Sequence, residues 1–173
     1  MVQRFGLTVE QIFQPETVFL LNTALQRVIT NGTARSLLNY IPETVQAAGK
    51  TGTTDEMRDS WFAGFTGDRL AVVWIGHDDN KPTSFTGASG AMVVWGKIMQ
   101  SLHPQPLELT EPGGIEWARI DAGVYSPLGG ESRENTKLPF VAGTVPSGAQ
   151  RPSSDTLESR VPEVWNTIRG WFH

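Results

Sequence analysis

The sequence predicts a mixed α/β domain of the α+β type, an antiparallel sheet flanked by helices. Two stretches with apolar residues at helical spacing bracket three short apolar runs. The joins between those runs are a few polar residues long. A parallel return needs a crossover of about a dozen residues or more, so the three runs must pair antiparallel.

Residues 1–13 carry no strong periodicity. Pro15 suits a first helical position, with Gln14 before it as a mediocre cap. Val18, Leu21, Leu25, Val28 and Ile29 then recur at helical spacing, and Asn31-Gly32 supplies a left-handed stop signal. This predicts a helix over 15–30, continued by a short turn through Ala34–Leu38. Strands follow at about 45–51, 59–66 and 70–77. Gly67-Asp68 between the last two is a hairpin signal. The runs Ser60-Trp61-Phe62-Ala63-Gly64-Phe65 and Leu70-Ala71-Val72-Val73-Trp74-Ile75 are apolar on both faces, which predicts a sheet covered on both sides. A second helix is expected over about 88–102, with Met92, Trp95, Met99 and Leu102 along one side and His103-Pro104 closing it.

Beyond Pro104 the character changes, with proline, glycine and serine dense to residue 155. The expected division is therefore a domain over 1–104 and a loop-rich appendage over 105–173. Two short strands are expected in the appendage, at 116–120 and 122–126. A last amphipathic helix over Pro162–Phe172 would carry Val161, Trp165, Ile168 and Phe172 on one side. Its expected role is docking back onto the protein, with a partner-protein or membrane-surface contact as the alternative.

Composition narrows the function classes. Of 173 residues, 39% are hydrophobic and 18% charged, which suits a folded chain rather than a disordered one. A net charge of -4, without runs of Lys or Arg, argues against nucleic acid as a partner. Cysteine is absent, which removes disulfides, thiolate metal sites and a cysteine nucleophile. The longest apolar stretch, 70–76, is strand-sized and too short to span a bilayer. No cofactor or metal site is expected. His77-Asp78-Asp79-Asn80 lacks the alternating ligands and central glycine of a calcium loop and runs into Lys81-Pro82, so it reads as a turn. Asp55, Glu56, Arg58 and Asp59 read as a solvated turn, and Trp61, Trp74 and Trp95 as core.

The chemistry concentrates in Ala48-Gly49-Lys50-Thr51-Gly52-Thr53-Thr54. A phosphate-binding loop needs Gly-x-x-x-x-Gly-Lys-Ser/Thr followed at once by a helix. Here the earlier glycine is replaced by Thr44, and a turn and another strand follow. A strand ending in Lys50-Thr51-Gly52 offers instead an ammonium, hydroxyls and a backbone free of side-chain bulk. Such an edge can bind a carboxylate and let an extended peptide lie alongside as an added strand. The amide just past the glycine can aim at a developing oxyanion.

Further stretches share one pattern with this one: Gln14-Pro15-Glu16-Thr17-Val18, Asn31-Gly32-Thr33-Ala34, Ser60–Phe65, Val73–Asp79 and Gly87-Ala88-Ser89-Gly90-Ala91. Together they resemble the C-terminal part of the transpeptidase domain of bifunctional class A penicillin-binding proteins, of the Gram-negative 1B kind. The resemblance covers about 1–104. It implies an incomplete penicillin-binding-protein/β-lactamase-like transpeptidase fold and a peptidoglycan D,D-transpeptidase that cross-links stem peptides by serine acyl transfer. The implied partners are stem peptides, β-lactams, the remaining part of the transpeptidase domain and activator proteins. The implied location is the periplasmic face of the inner membrane, anchored from outside this chain, with any glycosyltransferase activity also upstream.

By residue, the resemblance implies that Lys50 adds positive charge and steadies a Ser-x-Asn serine, that Thr51 and Thr53 bond a carboxylate, and that Gly52 permits close approach. The Thr53 amide is implied as an oxyanion donor, with Thr54 beside the substrate. The departure is large: no serine here has a lysine three positions later, and no Ser-x-Asn occurs. The chain alone is therefore expected to be inactive. A non-catalytic peptide- or partner-binding module that keeps the fold is the alternative.

Overall fold

The computed structural model describes residues 10–121 and 135–150. The chain divides into two compact units, Met1–Pro112 and Gly113–His173.

In the first unit, helix α1 spans Pro15–Thr30, with Pro15 inside its first turn and no side-chain cap from Gln14. The expected left-handed stop does not form: Asn31 has φ -129° and donates its amide to the Arg27 carbonyl, at 2.9 Å. Gly32 is needed for closeness, since a Cβ there would sit 2.9 Å from the Val28 backbone. Two 3₁₀ turns follow, at Arg35–Asn39 and Glu43–Val45. The second displaces the first strand from its expected start. Gln46 turns left-handed, with φ 50°, and the Val45 carbonyl accepts from the Leu107 amide instead of a strand neighbour.

Strands β1 (Ala48–Thr53), β2 (Ser60–Phe65) and β3 (Leu70–Ile75) form an antiparallel sheet in the order β1-β2-β3. The register pairs Gly52 with Trp61 and Thr53 with Ser60, then Trp61 with Trp74 and Phe62 with Val73. Paired residues share a face. One face therefore carries Thr53, Ser60, Phe62, Gly64 and Val73, and the other Lys50, Gly52, Trp61, Leu70, Val72 and Trp74.

Helix α2 (Ala91–Leu102) starts later than expected, because Thr86–Gly90 form a tight turn against the sheet. Its Met92, Trp95 and Met99 are buried with Phe62 of β2 and with Ile29, Leu37, Ile41 and Val45. This is the core, and it lies on one face of the sheet only. Among the described residues the other face is uncovered, with Leu70 76%, Val72 56%, Trp74 45% and Trp61 42% exposed. The expectation that Trp61 and Trp74 are core residues is thus corrected, whereas Trp95 is fully buried. The expected cover on both faces is half met, since the described chain supplies packing for one.

After α2, residues 105–107 return along this unit. Gln105 accepts from Gly67 and donates to Asp68, and Leu107 donates to Val45.

In the second unit, β4 (Ile115–Asp121) pairs antiparallel with β5 (Asn135–Val141). The expected strand at 116–120 corresponds to β4. The expected strand at 122–126 and the helix at 162–172 lie outside the described residues. β5 escapes sequence reading because Pro139 interrupts its run and only Leu138, Phe140 and Val141 are apolar. Lys137 places its ammonium over the Trp117 ring, 5.1 Å from the centroid.

Candidate functional site

Lys50, Thr51, Gly52 and Thr53 lie in sequence along the second half of β1. Among the described strands β1 pairs with β2 alone, so its outer edge is open. Lys50 is exposed, and its ammonium donates to the Thr51 carbonyl at 2.7 Å, folded back along its own strand. The Thr51 hydroxyl shares a hydrogen bond with the Thr33 hydroxyl at 2.8 Å, which ties the loop after α1 to the strand. Gly52 keeps its face low beside Trp61: a Cβ there would lie 3.2 Å from that of Trp61.

Thr53 sits on the opposite face. Its hydroxyl accepts from the Gly87 amide at 2.8 Å, which leaves its hydrogen available to another acceptor. Thr54 is drawn into the turn between β1 and β2: its hydroxyl accepts from the Asp59 amide at 2.8 Å and donates to the Asp59 carboxylate at 3.1 Å. The structure thus brings Lys50, Thr51, Gly52 and Thr53 together along one strand end and turns the Thr54 hydroxyl toward the hairpin. In the same turn Arg58 pairs with Glu56 and donates to the Asn80 carbonyl, while Asp59 accepts from the Trp74 indole. These charged residues knit two loops together. His77–Asn80 is a turn closed by the Asn80 amide and the His77 carbonyl. Within it Asp79 lies beside Lys81, whose hydrogen bond lowers the Asp79 pKa below the ordinary carboxylate value.

Three residues the motif does not name hold the strand end. Gly87 lies on β1 and β2 so closely that a Cβ would sit 2.7 Å from the carbonyl oxygens of both Gly52 and Trp61. Ser60 is fully buried, and its hydroxyl donates to the Thr86 carbonyl. Thr33 backs Thr51. The signals were the glycines at 87 and 90 just ahead of a helix and the Thr86-x-x-Ser89 pair. Ser60 opens one of the stretches that carry the resemblance, but no local signal marked its hydroxyl as a buried bridge.

The strand end is an open wall. A hollow of about 390 Å³ between α1 and residues 38–47 is lined by Gln26, Ile29, Leu38 and Pro42 among others, and by none of Lys50–Thr54. Among the described residues no group of three or more His, Cys, Asp or Glu is placed to hold a metal ion. No helix there is long and apolar enough to cross a membrane.

No family model matches the chain. Penicillin-binding protein 1B of Haemophilus influenzae is 38% identical over 112 residues, covering 65% of this chain and 14% of that protein. Penicillin-binding protein 1B of Vibrio cholerae is 40% identical over 107 residues, or 62% of this chain and 14% of that protein.

The chain is a relative of the penicillin-binding proteins.

Its fold agrees. The crystal structure of penicillin-binding protein 1A from Haemophilus influenzae matches 76% of the chain with a TM-score of 0.61 and 31% identity, covering 21% of that structure. The chain spans about 14% of the length of the curated penicillin-binding proteins it matches.

Proposed function

We propose that the chain is part of a peptidoglycan D,D-transpeptidase and supplies the substrate-aligning wall of its acyl-transfer site. The observation that carries this is the open outer edge of β1, with Lys50, Thr51, Gly52 and Thr53 in order along its end. A stem peptide or a β-lactam aligns along that edge. Thr51 and Thr53 meet its carboxylate, Lys50 swings from the Thr51 carbonyl toward the reacting centre, and the Thr53 amide donates to the oxyanion. Thr54 flanks the site from the turn.

The nucleophilic serine and its lysine come from a further part of the transpeptidase domain. The uncovered face with Trp61, Leu70, Val72 and Trp74, on the Lys50 side of the sheet, supports packing of that part there. The outer edge of β3, unpaired among the described strands, supports sheet completion by the same part. In such an assembly the site works at the periplasmic face of the bacterial inner membrane, within reach of activator proteins.

The test is a transplant. Residues 10–112 replace the matching stretch of the Haemophilus influenzae penicillin-binding protein 1B, and the chimera is treated with a fluorescent penicillin. Covalent labelling of the chimera, with none of the isolated chain, is the expected result. Labelling of a serine in the isolated chain refutes the reading.

A second reading has its own observation: the chain holds neither Ser-x-x-Lys nor Ser-x-Asn. A non-catalytic module would keep the wall and use it to hold peptides or a partner. The coding sequence upstream of Met1 separates the two, since an acyl-transfer enzyme must encode both elements there.

A further inference from the structure

One peptide bond is gripped from two strands. Ser60 of β2 and Thr53 of β1 are direct cross-strand partners, on the same face of the sheet. The Ser60 hydroxyl donates to the Thr86 carbonyl at 2.8 Å, and the Thr53 hydroxyl accepts from the Gly87 amide at 2.8 Å. That carbonyl and that amide belong to the same peptide unit. Two paired hydroxyls therefore take both polar ends of the Thr86–Gly87 peptide, which lies across the end of β1.

The grip is anchored on its far side. Gly90, the residue preceding α2, has no side-chain cap bond, so the first amides of that helix need outside partners. Ser60 supplies one, its hydroxyl accepting from the Ala91 amide at 2.9 Å. Because Ser60 is fully buried, both its donor and its acceptor roles are filled inside the protein. The turn is locked on itself as well: Thr86 and Ser89 exchange amide-to-hydroxyl bonds at 2.9 and 3.1 Å. Only glycine fits at two points. A Cβ at Gly90 would lie 2.7 Å from the Ser60 hydroxyl, and one at Gly87 would meet the Gly52 and Trp61 carbonyls.

We propose that Ser60 is a positioning residue: its buried hydroxyl, bridging Thr86 and the first amide of α2, holds Gly87 on the end of β1 and thereby orients Thr53. This rests on the transpeptidase reading only for its consequence. There the Thr53 peptide carries the oxyanion donor, and a small displacement of such a donor is costly. The grip also sets hydrogen-bond polarity. With the Gly87 amide already donating to it, the Thr53 hydroxyl turns its own hydrogen outward, toward an anionic partner. Ser60 itself lies behind the wall and touches no substrate.

Two measurements test this separately. In the full chain, amide hydrogen exchange at Gly87 reports the grip directly. Ser60→Ala is expected to accelerate it about tenfold or more, and Thr53→Ser, which keeps the acceptor, to leave it near the parent rate. Unchanged protection of Gly87 in Ser60→Ala overturns the grip. In the chimera with the Haemophilus influenzae protein, Ser60→Ala is expected to slow acylation by a fluorescent penicillin about tenfold while the dissociation constant before acylation barely moves. Met99→Ala, a buried change lower on α2, serves as the control of comparable stability loss and is expected to acylate near the parent rate. Equal slowing in both variants, or full-rate acylation by Ser60→Ala, overturns the positioning role. Failure of the unmutated chimera to label counts against the acyl-transfer reading instead, and leaves the exchange result to judge the grip.

Discussion

Trp95 of α2 meets Phe62 of β2 edge to face, with ring centroids 5.2 Å apart and planes at 66°. The Trp95 indole also donates to the Ala71 carbonyl of β3, at 3.1 Å. One side chain thus fastens the helix to two strands. Glycines make the contact possible: a Cβ at Gly64 would sit 2.7 Å from the Phe62 ring and 3.0 Å from the Trp95 ring. The helix that follows the Thr86–Gly90 turn is therefore seated by the same pair that fills the core.

Truncating either ring should be costly. Phe62→Ala and Trp95→Ala are each expected to lower unfolding free energy by about 3–5 kcal/mol, Trp95→Ala also leaving the Ala71 carbonyl without its indole donor. Gly64→Ala overpacks the same contact and is expected to cost about 1–3 kcal/mol. Urea denaturation followed by tryptophan fluorescence checks all three, and a Gly64→Ala protein as stable as the parent contradicts the packing described.

Among the described residues Lys50 has no ion-pair partner, and its ammonium donates to the Thr51 carbonyl. Lys50→Ala should therefore change stability by no more than about 0.5 kcal/mol, as for most surface substitutions. In the chimera the same change is expected to cut acylation by a fluorescent penicillin on the order of 100-fold. Near-normal labelling would remove Lys50 from the acyl-transfer site.

The sheet face that the described residues leave uncovered is expected to make the isolated chain self-associate. Val72 lies in its middle, on an edge strand that carries no charge or proline from Leu70 to Ile75. Sedimentation velocity of the isolated chain should show concentration-dependent oligomers, and Val72→Lys should shift the distribution toward monomer. A monodisperse, cooperatively melting monomer from the unmutated chain would contradict this.

The Asp79 carboxyl is held below the ordinary aspartate value, chiefly by its hydrogen bond from Lys81. A depressed folded pKa stabilises the folded state above the unfolded pKa, and that stabilisation is lost as pH falls through the folded value. Asp79 is fully exposed, so the effect on unfolding is small. Carboxyl chemical shifts followed through an acid titration should place Asp79 below an ordinary aspartate, and Lys81→Ala should return it upward. No movement on removing Lys81 would show that the pair does not persist in solution.

Much of the fold was legible because it rests on local rules. Helix α1 follows from Pro15 and the spacing of Val18, Leu21, Leu25 and Val28, a matter of period and of proline's fixed φ. The antiparallel order of β1, β2 and β3 follows from joins too short for a crossover. Lys50-Thr51-Gly52 was visible as a strand end for the same reason. The boundaries were less so. The left-handed turn at Gln46 moved the start of β1, where Val45 accepts from Leu107 far along the chain, and the Thr86–Ser89 lock, made between residues three apart, delayed α2.

What the sequence by itself determined is the two helices and three strands of the first unit, the antiparallel pairing of those strands and the groups lined up on β1, all consequences of side-chain period, backbone sterics and loop length. Only the tertiary structure decided that one sheet face is packed by Trp95 and Met92 while Trp61 and Trp74 stay exposed. It alone paired Ser60 with Thr53 around the Thr86–Gly87 peptide, a contact spanning 26 residues on one side and 34 on the other. The physical reason is that a hydroxyl carries no periodic signal. Its partner is chosen by whichever donor or acceptor the packed core leaves within reach, and that is settled only once helix and sheet have met.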